Sequence, residues 1–288
     1  MKQIKYFFQF LIIISLLSIF KLLGIKYSTI LSGKIFEFFG PFFRSNKISF
    51  SNLSRAIPEL DEIKKNKMIR NMWNNYGRIL AEYVFIKDYR KSKKFSDKII
   101  IKNQHELENI KKSSKPVIFV SGHFNNFELM AMHLEKSGID LVAIYRPLNN
   151  IFLNPIMEYI RKRYICGKQV KKGISGTKQL LKFFKNGTSI ALMIDQRVSE
   201  GVYSKFFNKN ALTTTIPAQF VKKFNVKIVP IYIERNPENK FTIEINKSIE
   251  FSNNETLDTI TLKLNEVLEK MILKNPDQWI WTHNRWKN

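Results

Sequence analysis

His123 and Glu128 are the residues whose types and spacing point most directly to chemistry. They lie in the run PVIFVSGHFNNFELMAMHLEKSG, which reads as a buried strand, a turn at Ser121 and Gly122, and a helix ending near Gly138. An imidazole at such a turn becomes a general base when a carboxylate takes the hydrogen on one ring nitrogen and leaves the other free. Glu128 is five positions on. Within one continuous helix five positions amount to about 500°, so the two side chains would point apart. They can meet only if His123 belongs to the turn ahead of the helix, where the glycine places it. The amides of residues 124–126 would then open the helix and face a negative charge developing on an acyl carbonyl. In isolation the same spacing also describes a histidine that merely caps or packs at a helix start.

The elements that must hold this pair follow from periodicity. Residues 47–90 carry apolar side chains at helical spacing, among them Ile69, Met72, Trp73, Tyr76, Ile79, Leu80 and Tyr83. From about residue 98 short β-rich runs alternate with helical stretches. The strands are expected at 99–101, 116–120, 141–145, 189–194, 227–233 and 241–245. Helices are expected near 125–137, 152–165, 175–186, 214–224 and 256–274. This alternation predicts an α/β fold, a mixed central sheet flanked by helices, with functional residues where strands end and helices begin.

Ahead of this domain, residues 6–20 are uncharged and lie between Lys2, Lys5 and Lys21. Spanning a bilayer takes about 20 apolar residues, which the run reaches if Lys21 snorkels and residues 22–24 are counted. No small-residue cleavage site follows. The reading is an uncleaved anchor over residues 1–25, an aromatic interfacial segment over 26–46, and a catalytic domain over 47–288. Positive charge is heavier after the anchor than before it, which favours a cytoplasmic main domain. The net charge of +24 asks for an anionic partner, whether nucleic acid, a membrane surface, or an acidic protein or phosphorylated substrate. A Lys-, Asn- and Ile-rich genome would also produce it. The single cysteine, Cys166, excludes an internal disulfide and a cysteine-based metal site.

The set HFNNFE at 123–128, YRPLNN at 145–150, Arg161, MIDQ at 193–196, ALTTTIPA at 211–218 and PDQWIWTHNRWK at 276–287 resembles the bacterial lipid A biosynthesis acyltransferases. These are the late lauroyl and myristoyl transferases of the lysophospholipid acyltransferase superfamily, and NLSRAIPE near residue 52 extends the likeness. Order and spacing of the blocks agree over most of the chain. The resemblance implies His123 as catalytic base with Glu128 as its dyad partner, and Arg161 and Asp195 as substrate-binding residues; Arg146 reads either as a strand cap paired locally or as a third substrate-binding residue that shapes the acceptor or acyl site. It implies acyl carrier protein as bearer of the acyl thioester, a hydroxyl of a phosphorylated glucosamine lipid as acceptor, no cofactor or metal, and a place at the bacterial inner membrane.

After Asp195 the stretch reads DQRVSEGVYSKFF, with Gln196 where the family often has a histidine, and whether Arg197 stands in for the family's arginine is open. Lysophospholipid, ornithine-lipid and glycolipid acceptors therefore stay open too. The run Arg161, Lys162, Arg163, Lys168, Lys171 and Lys172 reads either as a solvated face or as a contact for lipid phosphates or acyl carrier protein. Trp279, Trp281, His283, Arg285 and Trp286 read as a packed terminal segment, His105 and His133 as structural, and Cys166 as inert. The rival from another class is a membrane-bound, basic nucleic-acid-binding or scaffold protein. No helix-turn-helix, zinc or RNA-binding signature supports it.

Overall fold

The chain's uncharged start continues into one long helix. The computed structural model describes residues 2–287, and its first helix, α1, runs Lys2–Phe43. It breaks direction at Gly24, whose φ of 72° and ψ of 164° lie where residues with a Cβ are strained. The expected anchor and interfacial segment are thus two arms of one kinked helix. Among the described residues α1 is the one helix long and apolar enough to cross a membrane. Phe8, Ile12 and Leu22 stand exposed on the first arm, and Phe38, Phe42 and Phe43 on the second.

Four helices follow: α2 (Asn46–Ala56), α3 (Glu62–Tyr83), α4 (Ile86–Lys91) and α5 (Lys93–Ser96). Asp61 caps α3 by accepting from the Lys64 amide at 2.7 Å, as N-cap carboxylates do. The second arm of α1 packs along α3. Ser32 Oγ donates to the Gly77 carbonyl at 2.6 Å, and Asn74 Nδ2 donates to Glu37 at 3.1 Å.

From residue 99 strands and helices alternate: β1 (Ile99–Lys102), α6 (Gln104–Ser113), β2 (Ile118–Ser121), α7 (Glu128–Lys136), β3 (Leu141–Tyr145) and α8 (Leu153–Ile160). A π-helical turn, Arg161–Ile165, extends α8. Beyond it come β4 (Lys168–Lys171), α9 (Ile174–Lys185), β5 (Ser189–Met193), β6 (Val202–Phe206) and β7 (Lys209–Thr213). The chain closes with α10 (Ile216–Phe224), β8 (Ile228–Arg235), β9 (Phe241–Ile245) and α11 (Leu257–Lys274).

Seven strands form one sheet in the order β1-β9-β8-β2-β5-β3-β4, parallel except where β8 meets β9. β2 lies centrally and all four of its residues are buried. Its near-continuous apolar run is what a strand covered on both faces requires. The hairpin β6–β7 stands apart from this sheet and packs under α11. Three features escaped the periodicity. β4 is the edge strand KQVK, with one apolar residue in four. The hairpin turns on Phe207 and Asn208, both at positive φ, so a turn of the usual glycine-containing kind carries no glycine here. The polar helix α6 has no counterpart among the expected elements.

At Gly77 the backbones of α1 and α3 lie in close contact. A helix-interior glycine costs about 1 kcal/mol relative to alanine, so Gly77→Ala should help α3 locally. The added methyl, however, would lie 2.1 Å from the Ser32 carbonyl oxygen, and overpacking against backbone costs about 1–3 kcal/mol. The clash wins: Gly77→Ala lowers the unfolding temperature of the detergent-solubilised protein by several degrees. An unchanged or raised unfolding temperature contradicts the tight seat of α1 on α3.

Candidate active site

Two adjacent parallel strands deliver the central pair. Ser121, the last residue of β2, is the register partner of Met193, the last of β5. The Ile194 amide donates to the Ser121 carbonyl at 2.9 Å, carrying the pairing one step further. His123 and Asp195 each lie two residues past these matched strand ends. The His123 amide donates to Asp195 Oδ2 at 2.8 Å, and His123 Nδ1 lies 2.8 Å from Oδ1. Trp279 Nε1 is the third donor to the carboxylate, reaching Oδ2 at 2.9 Å.

Asp195 is completely buried. Burial alone pushes a carboxyl's pKa up, but the His123 ring and amide and the Trp279 indole outweigh it and hold Asp195 below the usual carboxylate range. An ionised carboxylate only accepts hydrogen bonds, so Nδ1 carries a hydrogen, and in the neutral imidazole this leaves the lone pair on Nε2. The ring packs edge-on to Phe127, 4.8 Å between centroids.

Glu128 does not reach His123, contrary to the expectation from their spacing. It is the first residue of α7, and its Oε1 accepts from Arg161 Nε at 2.8 Å and Nη2 at 2.7 Å. The Tyr83 hydroxyl donates to the same oxygen. Burial works against the charged guanidinium, yet Glu128 and Tyr83 raise the Arg161 pKa, so it stays cationic. The loop between His123 and Glu128 explains the outcome. Asn125 sits at φ 39°, and its side chain accepts from the Asn126 amide at 2.7 Å and donates to Asn75 and Gln278 at 2.9 and 2.6 Å. Asn126 in turn donates to Glu82, itself paired with Arg235. This non-helical bridge aims Glu128 at the π turn rather than back at the histidine.

The expected amide cradle over residues 124–126 is also overturned. The Phe124 amide donates to the Gly122 carbonyl, Asn125 to Gln278 and Asn126 to the Asn125 side chain, at 2.8, 2.9 and 2.7 Å. All three donors are already committed, and α7 begins later than expected.

In front of His123 lies a cavity of about 350 Å³. Phe127, Ala131, Ala143, Ile144, Ala191 and Leu192 make one wall apolar, while Arg146, Arg161, Lys172 and Gln196 supply polar groups. Arg146 and Arg161 are thus where substrate-binding residues were expected. Asp195, expected among them, instead stands buried behind the histidine.

The basic run does not act as one surface. Arg161 turns inward to Glu128, Lys168 pairs with Asp140 at 2.5 Å and Lys171 with Glu158 at 3.5 Å. Cys166 is buried, with its thiol pushed up to about 12 by that burial, which suits no nucleophile. The terminal segment does pack, with Trp279, Trp281, Arg285 and Trp286 buried. Sequence reasoning missed that Trp279 also reaches Asp195, and that His283 Nε2 accepts from the Arg197 amide at 2.9 Å. It also missed Tyr83 beside Glu128. The tryptophan-rich composition was the one visible signal, and it speaks of packing, not of a partner.

The two carboxylates are separable by experiment. In protein carrying isotope-labelled histidine, the carboxylate-bound Nδ1 hydrogen of His123 gives a downfield resonance. Asp195→Asn removes it and Glu128→Gln leaves it in place. The opposite pattern would return the histidine to Glu128.

Comparison with known proteins gives the family. The sequence profile of the family described as bacterial lipid A biosynthesis acyltransferase matches residues 1–288. The chain is similar to the lipid A biosynthesis lauroyltransferase of Escherichia coli (strain K12), 25% identical over 252 residues, covering 85% of this chain and 79% of that protein. It is 24% identical over 254 residues to a lipid A biosynthesis acyltransferase of Haemophilus influenzae, covering 85% and 78%. To the lipid A biosynthesis myristoyltransferase of Escherichia coli (strain K12) it is 19% identical over 240 residues, covering 82% and 73%. With the profile spanning the whole chain, this protein belongs to the bacterial lipid A biosynthesis acyltransferase family.

Proposed function

We propose that this acyltransferase moves a fatty acyl group from a thioester on acyl carrier protein to a hydroxyl of a lipid A precursor. The catalytic domain, residues 47–288, works on the cytoplasmic face of the bacterial inner membrane, held there by the anchor at residues 1–25. The observation that carries the reading is the His123–Asp195 pair, 2.8 Å apart, with the imidazole lining a half-apolar cavity. It supports direct transfer. His123 Nε2 takes the proton of the acceptor hydroxyl, and the alkoxide adds to the thioester carbonyl. The C–S bond then breaks as the carbonyl re-forms, and the departing thiolate takes the proton back from the imidazolium. Asp195 stabilises that imidazolium and fixes the tautomer. Arg161, held in place by Glu128, is the cation assigned to the developing oxyanion. Glu128 thereby keeps a role in the reaction as the residue that positions Arg161. The apolar wall, with Ala131, Ala143 and Ala191 leaving room, suits the acyl chain.

A second reading keeps the chemistry and changes the acceptor to another lipid hydroxyl. Gln196 on the cavity wall favours it, since this is where the chain departs from the family's pattern. Offering lysophospholipid and ornithine lipid beside the lipid A precursor separates the two.

Loss of a general base costs about 10²–10⁴ in rate. His123→Ala therefore abolishes most transfer from acyl carrier protein in the purified, folded protein. Glu128→Gln reduces turnover less, because Arg161 loses its counter-charge but not its place. Near-normal turnover by His123→Ala would show that the family likeness describes the fold without this catalytic assignment.

A further inference from the structure

The cations between β3 and α9 fall into two groups. Arg161, Lys168 and Lys171 each have a carboxylate within salt-bridge distance. Arg146 and Lys172 line the His123 cavity, and neither has such a partner among the described residues. Their placement follows from register. Tyr145, the last residue of β3, is the partner of Lys171, the last of β4, and the Lys172 amide donates to the Tyr145 carbonyl at 2.9 Å. Arg146 and Lys172 are therefore the first residues past matched ends of neighbouring parallel strands, which run about 4.8 Å apart. Partial burial, and then the charge of Arg146, lower the proton affinity of the Lys172 ammonium. Two like charges held side by side with no counter-ion disfavour each other until an anion comes between them.

The geometry points to a phosphate-binding subsite formed by Arg146 and Lys172 at the solvent edge of the His123 cavity. A carboxylate has two oxygens, which one guanidinium fork can occupy by itself. A phosphate offers more, so it can take the planar fork of an arginine and the point charge of a lysine together. The subsite rests on the transfer reading for its place in the reaction, and that reaction brings phosphate from two sources. One is the phosphate of the donor's phosphopantetheine arm, the other a phosphate on the acceptor lipid. Either would anchor its substrate at the cavity edge while the reacting group reaches His123.

The test uses the full chain in detergent micelles, with Arg146→Gln, Lys172→Gln and the double variant. Donors are acyl-phosphopantetheine and acyl-pantetheine thioesters, and acceptors are the lipid with and without its phosphate. Each single variant raises KM about tenfold for the substrate whose phosphate is bound, corresponding to about 1.4 kcal/mol. The penalty is lost on the phosphate-free form of that same substrate, which identifies the source. Equal penalties with and without phosphate, on both donor and acceptor, overturn the subsite. A readout without turnover stands beside this one: inorganic pyrophosphate raises the unfolding temperature of the wild type and not of the double variant. If no transfer occurs and this difference persists, the transfer reading fails and the subsite stands. Equal shifts in both proteins overturn the subsite directly.

Discussion

The pairing of β2 with β5 is the constraint from which the site follows. Ser121 opposite Met193 puts His123 and Asp195 two steps past matched strand ends, and the 2.8 Å contacts are its consequence. In a sheet with side chains alternating between faces, a slip of one residue would send Asp195 to the other side. Such a slip would also carry the buried Ile190 and Leu192 of β5 to the opposite faces and undo their packing. Parallel register thus sets the chemistry, and one strand pair further out it sets Arg146 beside Lys172.

A second structure holds what the strands do not. Asn75, Glu82 and Tyr83 lie at i, i+7 and i+8 of α3, one stripe of the helix, and between them they grip Asn125, Asn126, Arg235 and Glu128. On the opposite face Trp73 and Gly77 receive Gly40 and Ser32 of α1. The long apolar helix α1 is therefore packed on the helix that shapes the loop between His123 and Glu128. The Glu82–Arg235 pair is nearly inaccessible to solvent. Removing one member of such a pair typically costs about 3–5 kcal/mol, because the other is left charged and unanswered. The loop's departure from helical geometry rests on that pair.

Much of this was legible in the sequence, and the failures at the site share one cause. β1, β2, β3, β5, β8 and β9 announced themselves through apolar runs, and His123, Arg161 and Asp195 were all singled out. What could not be read was who faces whom. His123 and Asp195 are 72 positions apart, and only strand register brings them together. Glu128, five residues away, looked the nearer partner, but the bridge through Asn125 and Asn126 is shaped by α3 and β8, not by local spacing. β4 stayed hidden because an exposed edge strand has no need of apolar residues, and the β6–β7 turn because Phe207 and Asn208 adopt a conformation usually marked by glycine.

The claim at the centre is that Asp195 and His123 act as one unit in adding an acyl chain to a lipid. Mass spectrometry of the intact lipid A fraction tests it most directly, in cells carrying the wild-type gene, the Asp195→Asn gene at equal protein level, or no copy. The wild type yields a lipid heavier by one fatty acyl ester, and the Asp195→Asn cells match the cells without the gene. A fully acylated lipid from the Asp195→Asn cells would contradict the account.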